Sequence, residues 1–435
     1  MNITGNTAQD IQDNIRTLIK EGQLQEGDFL PSVRELAEQL GVNRNTVAAA
    51  YKNLVAMGIV ISRGRLGTQV KSYQSSRLLE GFQPLLQGTV DLAHGNPKRE
   101  LLPSLKHINL ANFNCALYGE NIYHPELLKI TQEKIFADIP QNFSIEFTYG
   151  AVDAIERILA TYLVSSDMIA VEQPGFITSI SAIEQQQFKM YPFTVSEHGF
   201  DLNELLQALQ ANVQAVIITP RSQNPTGYSL DTVQAEKIYN ILEDYPHVLV
   251  IVDDHFSLLA QAQYQHIIPP STKHWALIRS VSKYLSPDFR FAFVCCDSET
   301  SEKLHLKLNA GSTWVSHIIQ EMVYQLFSSE QFPETLHTAK SYYQQQNQKF
   351  VQYLQKFSIP CATHYDGLNV WLSLPYADKT TQILRQRGWL VRSGQDFRVN
   401  QDISAIRVST SDMTETQMQE FCQQLQQIYE VVVNF

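Results

Sequence analysis

Long apolar runs are missing from this 435-residue chain: no stretch approaches the ~20 consecutive apolar residues of a membrane-spanning helix. Met1 to Gly5 carry neither the basic stretch nor the apolar core of a secretion signal, so a cytoplasmic protein with no membrane contact is expected. Cysteine is scarce, with five residues and no Cys-x-x-Cys, which fits reduced thiols rather than a disulfide framework. His-Glu-x-x-His and clustered Cys/His spacings are also absent, so no metal site is expected. Positive charge is in short supply: 33 Lys and Arg against 44 Asp and Glu leave a formal charge of -11, which for the chain as a whole argues against nucleic acid. There is no internal repeat, and the glutamine runs 185–187 and 344–346 are expected on solvated helix faces. The apolar share of 44% and charged share of 18% suffice for a large packed core, and the length is that of two or three domains.

The charge is unevenly spread. Residues 1–70 hold seven basic and seven acidic side chains and are neutral, so the rest of the chain carries the whole deficit. From Val42 to Lys71 there are five basic residues (Arg44, Lys52, Arg63, Arg65, Lys71) and no acid, a plausible footprint for a duplex. Ile11, Ile15, Leu18 and Ile19 recur at helical spacing and predict a helix over Ala8–Lys20. Ser32 and Glu35 have capping-box spacing at the start of a second helix, which ends at Gly41. Asn43 caps a third helix running to about Met57, with Val47, Ala50, Leu54 and Val55 inward and Arg44, Asn45 and Thr46 exposed in its first turn. Two helices across a short Gly-containing turn make a helix-turn-helix, whose second helix reads the major groove. A hairpin of 59–62 and 68–70 follows, with Arg63 and Arg65 at its tip.

The run Gly27-Asp28-Phe29-Leu30-Pro31-Ser32, then Arg34-Glu35-Leu36-Ala37, Gly41-Val42, Arg44, Thr46-Val47, Gly58 and Gly67-Thr68 resembles the GntR family of winged helix-turn-helix regulators. The resemblance implies DNA contacts from Arg34, Arg44 and Thr46, with the Gly67-Thr68 wing on the minor-groove side; Asn45, Arg63 and Arg65 join them as candidates. The alternative is a winged helix used for protein contacts only. Residues 71–90 form a linker, polar from Lys71 to Ser76 and apolar at Leu78, Leu79, Phe82, Leu85 and Leu86.

From 91 to 435, short apolar runs alternate with longer helical stretches: 168–171, 215–219, 248–252, 276–278 and 291–295. That alternation predicts a mostly parallel α/β sheet covered on both faces, with ligands beyond the carboxyl ends of its strands. The punctuated motifs fall at those ends. They are Gly150-Ala151-Val152, Pro174-Gly175-Phe176, Asn224-Pro225-Thr226-Gly227, Asp253, Ser280-Val281-Ser282-Lys283, Arg290 and Arg407. In this order they resemble the fold-type I aminotransferases, which use pyridoxal 5'-phosphate (PLP).

The resemblance implies a role for each residue. Lys283 forms a Schiff base with the cofactor aldehyde. Ser280, Ser282, Arg290 and the backbone of Ala151 and Val152 hold its phosphate, because a dianion needs charge-assisted donors and free helix-start amides. Asp253 keeps the pyridine nitrogen protonated. Phe176 stacks on the ring, Asn224 donates to the phenolic oxygen, and Arg407 clamps the carboxylate of an effector. Tyr118, in a segment with Pro125-Glu126-Leu127-Leu128, reaches the neighbouring subunit's phosphate site. Each has a plainer alternative: a helix-capping aspartate, a core phenylalanine, a surface arginine on an edge strand for Arg407. Two positions depart from the pattern. His255 stands where the family has a tyrosine, and Ala151-Val152 replace the usual hydroxyl or amide side chains.

A GntR-type reader joined to an aminotransferase-like unit resembles the MocR-type regulators, and within them the PtsJ-type members linked to vitamin B6 metabolism. The resemblance implies a multidomain regulator rather than an enzyme. Residues 1–70 bind a double-stranded DNA operator, 71–90 link, and 91–435 bind PLP and form a head-to-tail homodimer. PLP, or an amino acid or amine reacting with it, then controls genes of vitamin B6 or amino-acid metabolism. Two alternatives remain open here. One is a working PLP-dependent aminotransferase localised by its DNA-binding module, and the other is a cofactor-free dimerisation unit.

Overall fold

The computed structural model describes residues 3–71, 88–111, 113–309 and 314–433. By its contacts the chain divides into two compact units, Met1–Arg77 and Leu78–Phe435. The expected linker falls, from 72 to 87, outside the described residues.

In the first unit, helices α1 (Ala8–Lys20), α2 (Val33–Leu40) and α3 (Arg44–Ala56) precede a hairpin of β1 (Val60–Ser62) and β2 (Thr68–Val70). Caps explain the boundaries. Ser32 and Glu35 form the expected capping box at α2, Gly41 ends that helix at φ 66°, and the Asn43 side chain accepts from Asn45 N. Thr7 and Asp10 form a second capping box at α1. Each such cap is worth about 1 kcal/mol. Ile11, Ile15, Leu36, Val47, Ala50, Leu54 and Val60 close one apolar core. The stripe of α3 differs from expectation in one place. Val55 is exposed, and Tyr51 is buried instead with its hydroxyl donating to Pro31 O at 2.8 Å. That bond lets an aromatic ring enter the core without an orphaned hydroxyl.

The second unit is built on an eight-stranded sheet. Its strands are β4 (Ser144–Thr148), β5 (Met168–Gln173), β6 (Lys189–Ser196), β7 (Gly199–Phe200), β8 (Ala215–Ile218), β9 (Leu249–Asp253), β10 (Trp275–Ser280) and β11 (Ala292–Cys296), in the order β4-β11-β10-β9-β8-β5-β6-β7. β10, β9, β8, β5 and β6 pair in parallel, whereas β11 runs antiparallel to both its neighbours. The run 248–252 is wholly apolar because both faces are covered. Val250 and Val252 enter one core cluster, while Leu249 and Ile251 enter the other. Two of this unit's helices are α4 (Pro125–Ile130) and α5 (Ala151–Tyr162), and α5 opens at the site.

A smaller layer packs beside it. β12 (Asn369–Ser373), β15 (Ala405–Ser409) and β14 (Arg392–Ser393) form one sheet, with β15 central. A cluster including Phe350, Val370, Leu372, Val408 and Phe421 joins it to the helices Phe332–Lys356 and Glu415–Val433. β3 (Val90–Asp91) pairs in parallel with β13 (Trp389–Leu390) and so delivers residues 92–96 to the crevice. The second glutamine run is not all solvated as expected: Gln346 is buried and donates to Thr410 O and Met413 O, tying the long helix to the turn after β15. The five cysteines are free thiols. Among the described residues no helix is long and apolar enough to cross a membrane, and no group of His, Cys, Asp or Glu could hold a metal.

Candidate functional site

A cavity of about 460 Å³ opens where β4, β5, β8, β9 and β10 end and β11 begins. Ala151, Val152, Phe176, Asn224, Asp253, His255, Ser280, Ser282, Lys283 and Arg290 all line it. Ten residues spread over 140 positions of sequence thus meet at one end of the sheet, where open α/β sheets take their ligands. The volume is that of a small-molecule site, typically ~300–1,000 Å³.

The walls differ in chemistry. At one corner α5 begins on Gly150, which offers no side-chain cap, so its first-turn amides are left to other partners. Gly150 has φ +107°, and a Cβ there would lie 2.9 Å from Arg290 Nη2. Only glycine lets the guanidinium come so close to the helix start. Ser280 Oγ donates to Ser282 Oγ at 3.0 Å, which puts both hydroxyls beside that corner of the cavity. Asp153 and Glu156 line the cavity as well. Asp153 is held by Arg157 at 2.8 Å, and burial first, then Asp153, pushes the Glu156 carboxyl upward.

The floor holds two adjacent aspartates in opposite circumstances. Asp254 is fully buried and takes Arg221 and Arg279, the latter also clasping Asp138. Asp253 is buried too, yet its Oδ1 has no partner. Burial, and secondarily the Asp254 charge, push its pKa up to about 7. His255 Nδ1 stands 3.9 Å from Asp253 Oδ2. A buried acceptor left unmade is costly, and it faces a cavity that would take a ring nitrogen bearing a proton. An acid with one bare oxygen on the floor, a lysine on the wall, an arginine at a bare helix start and Phe176 alongside are a set of groups that fits a phosphorylated pyridine aldehyde.

Two expected residues stand apart. Arg407 does not line the cavity and is not on an edge strand, which removes the surface alternative. It lies on central β15, fully buried, donating to Asn224 Oδ1 at 2.9 Å and Ala93 O at 2.6 Å, with its guanidinium 5.1 Å from the Phe397 ring centre. Tyr118 is 87% exposed, meets Trp314 edge-on and does not line its own chain's cavity. Sequence reasoning missed Asn96, which lines the cavity, and Gly95, whose carbonyl accepts from Lys283 Nζ at 2.8 Å. The turn signal Gly95-Asn96-Pro97 was there to be read. Also missed was Glu172, buried behind the floor, which accepts from Thr219 N, Thr219 Oγ1 and Gln223 Nε2.

In the first unit, Arg34, Arg44 and Asn45 are exposed and Thr46 is half-buried, all in first turns of α2 and α3. Arg63 and Arg65 are exposed at the wing tip. Arg63 Nε donates to Gln69 Oε1, and Gln69 Nε2 to Gly27 O, so the wing is tied to the segment leading into α2. Gly67, at φ +106°, returns the chain to Thr68.

Residues 87–425 match the model of class I and II aminotransferases, and residues 7–70 match that of the gntR family of bacterial regulatory proteins. The vitamin B6 salvage pathway transcriptional repressor PtsJ of Salmonella typhimurium is 41% identical over 418 residues, 96% of this chain and 97% of that protein. The chain belongs to the MocR-type group of GntR regulators. The probable rhizopine catabolism regulatory protein MocR of Rhizobium meliloti is 22% identical over 86% of this chain and 80% of its own. Among solved structures, a multiple substrate aminotransferase from Thermococcus profundus superposes with a TM-score of 0.70 at 18% identity, over 80% of this chain and 93% of that one. At that identity it shows the fold alone. A MocR-type chain is a transcription regulator whose second unit has the aminotransferase fold, and its relatives are regulators rather than enzymes.

Proposed function

We propose that this MocR-type regulator binds a DNA operator with its winged helix and PLP in the cavity at Lys283, and that the cofactor sets its affinity for the operator. When bound, PLP supplies an aldehyde that condenses with a primary amine. Lys283 offers that amine. Arg290, Ser280, Ser282 and the first-turn amides of Ala151 and Val152 hold the phosphate, Asp253 holds a proton on the ring nitrogen, and Phe176 stacks on the ring. Asn224 and His255 donate toward the phenolic oxygen. Arg407, reached by displacing a backbone carbonyl, takes the carboxylate of an amino-acid effector. Tyr118 serves the site of a second, head-to-tail subunit. Arg34, Arg44, Asn45, Thr46 and the wing residues Arg63, Arg65, Gly67 and Thr68 contact the duplex, in the cytoplasm.

The observation that carries this reading is the unpartnered Oδ1 of buried Asp253, in a cavity that also gathers Lys283 and Arg290. Its 41% identity to a repressor of vitamin B6 salvage supports genes of that pathway as targets. DNase footprinting of the gene's own upstream region, with and without PLP, tests it. Protection whose extent or affinity changes with PLP is expected for the wild type and not for Lys283→Ala. A footprint indifferent to saturating PLP overturns the cofactor-response part of the reading.

A further inference from the structure

Three carbonyls of one short segment hold three side chains in and beside the pocket. Lys283 donates to Gly95 O at 2.8 Å, Arg407 to Ala93 O at 2.6 Å, and Ser411 Oγ to Asn96 O at 2.7 Å. Two of the donors are cations, and they are the two groups the reading above assigns to an aldehyde and a carboxylate. Gly95 adopts φ +58°, a conformation that glycine reaches without strain. The segment is otherwise held locally, by Ala93 N to Asp91 Oδ1 and Asn96 N to His94 Nδ1, both at 2.8 Å. It enters from β3, whose Val90 and following Leu92 donate to Gly388 O and Leu390 O.

We infer that residues 93–96 are a clasp: their carbonyls stand in for the ligand at both cations, and loading the site forces them off. The inference rests on the reading that Lys283 takes an aldehyde. The chemistry requires the exchange. When a neutral lysine amine condenses with an aldehyde, a carbon–nitrogen double bond forms, and both amine hydrogens leave with the aldehyde oxygen as water. Lys283 having first given its ammonium proton to solvent, no amine hydrogen is left to hold Gly95 O. A carboxylate arriving at Arg407 competes with Ala93 O for Nη2. An aldehyde alone therefore undoes the Lys283 bond, whereas an amino acid that takes the aldehyde carbon from Lys283 returns that amine and undoes the Arg407 bond instead. The Ser411 bond is touched by neither and remains as the hinge. Along the chain, β3 lies between the clasp and the residues that lead back to the DNA reader.

Hydrogen–deuterium exchange on the full-length protein tests this. PLP should raise exchange in a peptide spanning residues 92–98 by about ten-fold, the weight of one charge-assisted hydrogen bond. Pyridoxamine 5'-phosphate, which has no aldehyde for Lys283, should not. Exchange that stays the same or slows while the visible absorbance at Lys283 develops overturns the clasp. If no absorbance develops, the cofactor reading has failed and the clasp falls with it. Ser411→Ala loosens the clasp without touching Lys283. It should speed the appearance of that absorbance about five-fold, as expected for one neutral hydrogen bond. An unchanged rate means the clasp does not compete with PLP, and the inference is lost.

Discussion

At the scale of single residues, Asp253 on the cavity floor and Glu172 behind it are two buried carboxyl groups. Both are buried beyond what an ordinary carboxylate tolerates. Burial pushes Glu172 up to about 8 and Asp253 up to about 7, against unfolded values of 4.5 and 3.8. Between those limits the folded chain binds more protons than the unfolded one. Stability is therefore fully present below about pH 4, falls as pH rises toward 8, and flattens above that. The thermal midpoint of the cofactor-free protein should drop between about pH 4 and about pH 8, and Glu172→Gln should shrink the drop. An undiminished drop in the mutant would exclude Glu172 as a source of the dependence. The sequence marked Asp253 by its place after an apolar strand, but not Glu172. Nothing along the chain says that Thr219 and Gln223 will converge on it.

At the scale of elements, periodicity and caps were readable because they are local. α1 spans the residues whose apolar spacing announced it, and the Ser32–Glu35 box forms as its spacing requires. Side chains that answer to distant partners were not readable. Tyr51 is core because Pro31 O lies opposite, and Gln346 is buried because the turn after β15 needs donors. α3 shows what the local reading is worth for function. Its first turn exposes Arg44 and Asn45 while Val47 and Ala50 anchor it from behind. Arg44→Ala should therefore leave the fold and the PLP absorbance intact and weaken specific operator binding by ~1–3 kcal/mol if it reads a base edge. Quantitative gel shifts on specific and scrambled duplexes check this. Wild-type affinity for the specific site would remove Arg44 from the contacts.

For the whole molecule the open question is assembly. Tyr118 is exposed on the surface and does not line the cavity of its own chain. If it completes the site of a second subunit, two defective proteins should repair each other. Lys283→Ala and Tyr118→Phe chains, mixed and allowed to exchange subunits, would share one intact site: Lys283 from the second and Tyr118 from the first. PLP titration of the mixture should show a tight class of sites that the Tyr118→Phe protein lacks when alone. A mixture that titrates as the sum of its parts would confine Tyr118 to its own subunit.

The sequence by itself determined the two-part architecture, the winged helix with its caps, the strand-end positions of the pocket residues, and the family. The caps, turns and strand ends rest on spacing within a few tens of residues, which backbone geometry converts directly into faces and turns, whereas the family rests on the resemblance of motifs spread from Gly27 to Arg407. Only the tertiary structure decided that Arg407 is closed over by a backbone carbonyl, that Asp254 is satisfied while Asp253 Oδ1 is not, and that Gly95 O accepts from Lys283. Those facts depend on which groups meet across separations that run from 25 to 314 positions of chain. Burial then decides whether each polar atom finds a partner or is left for a ligand.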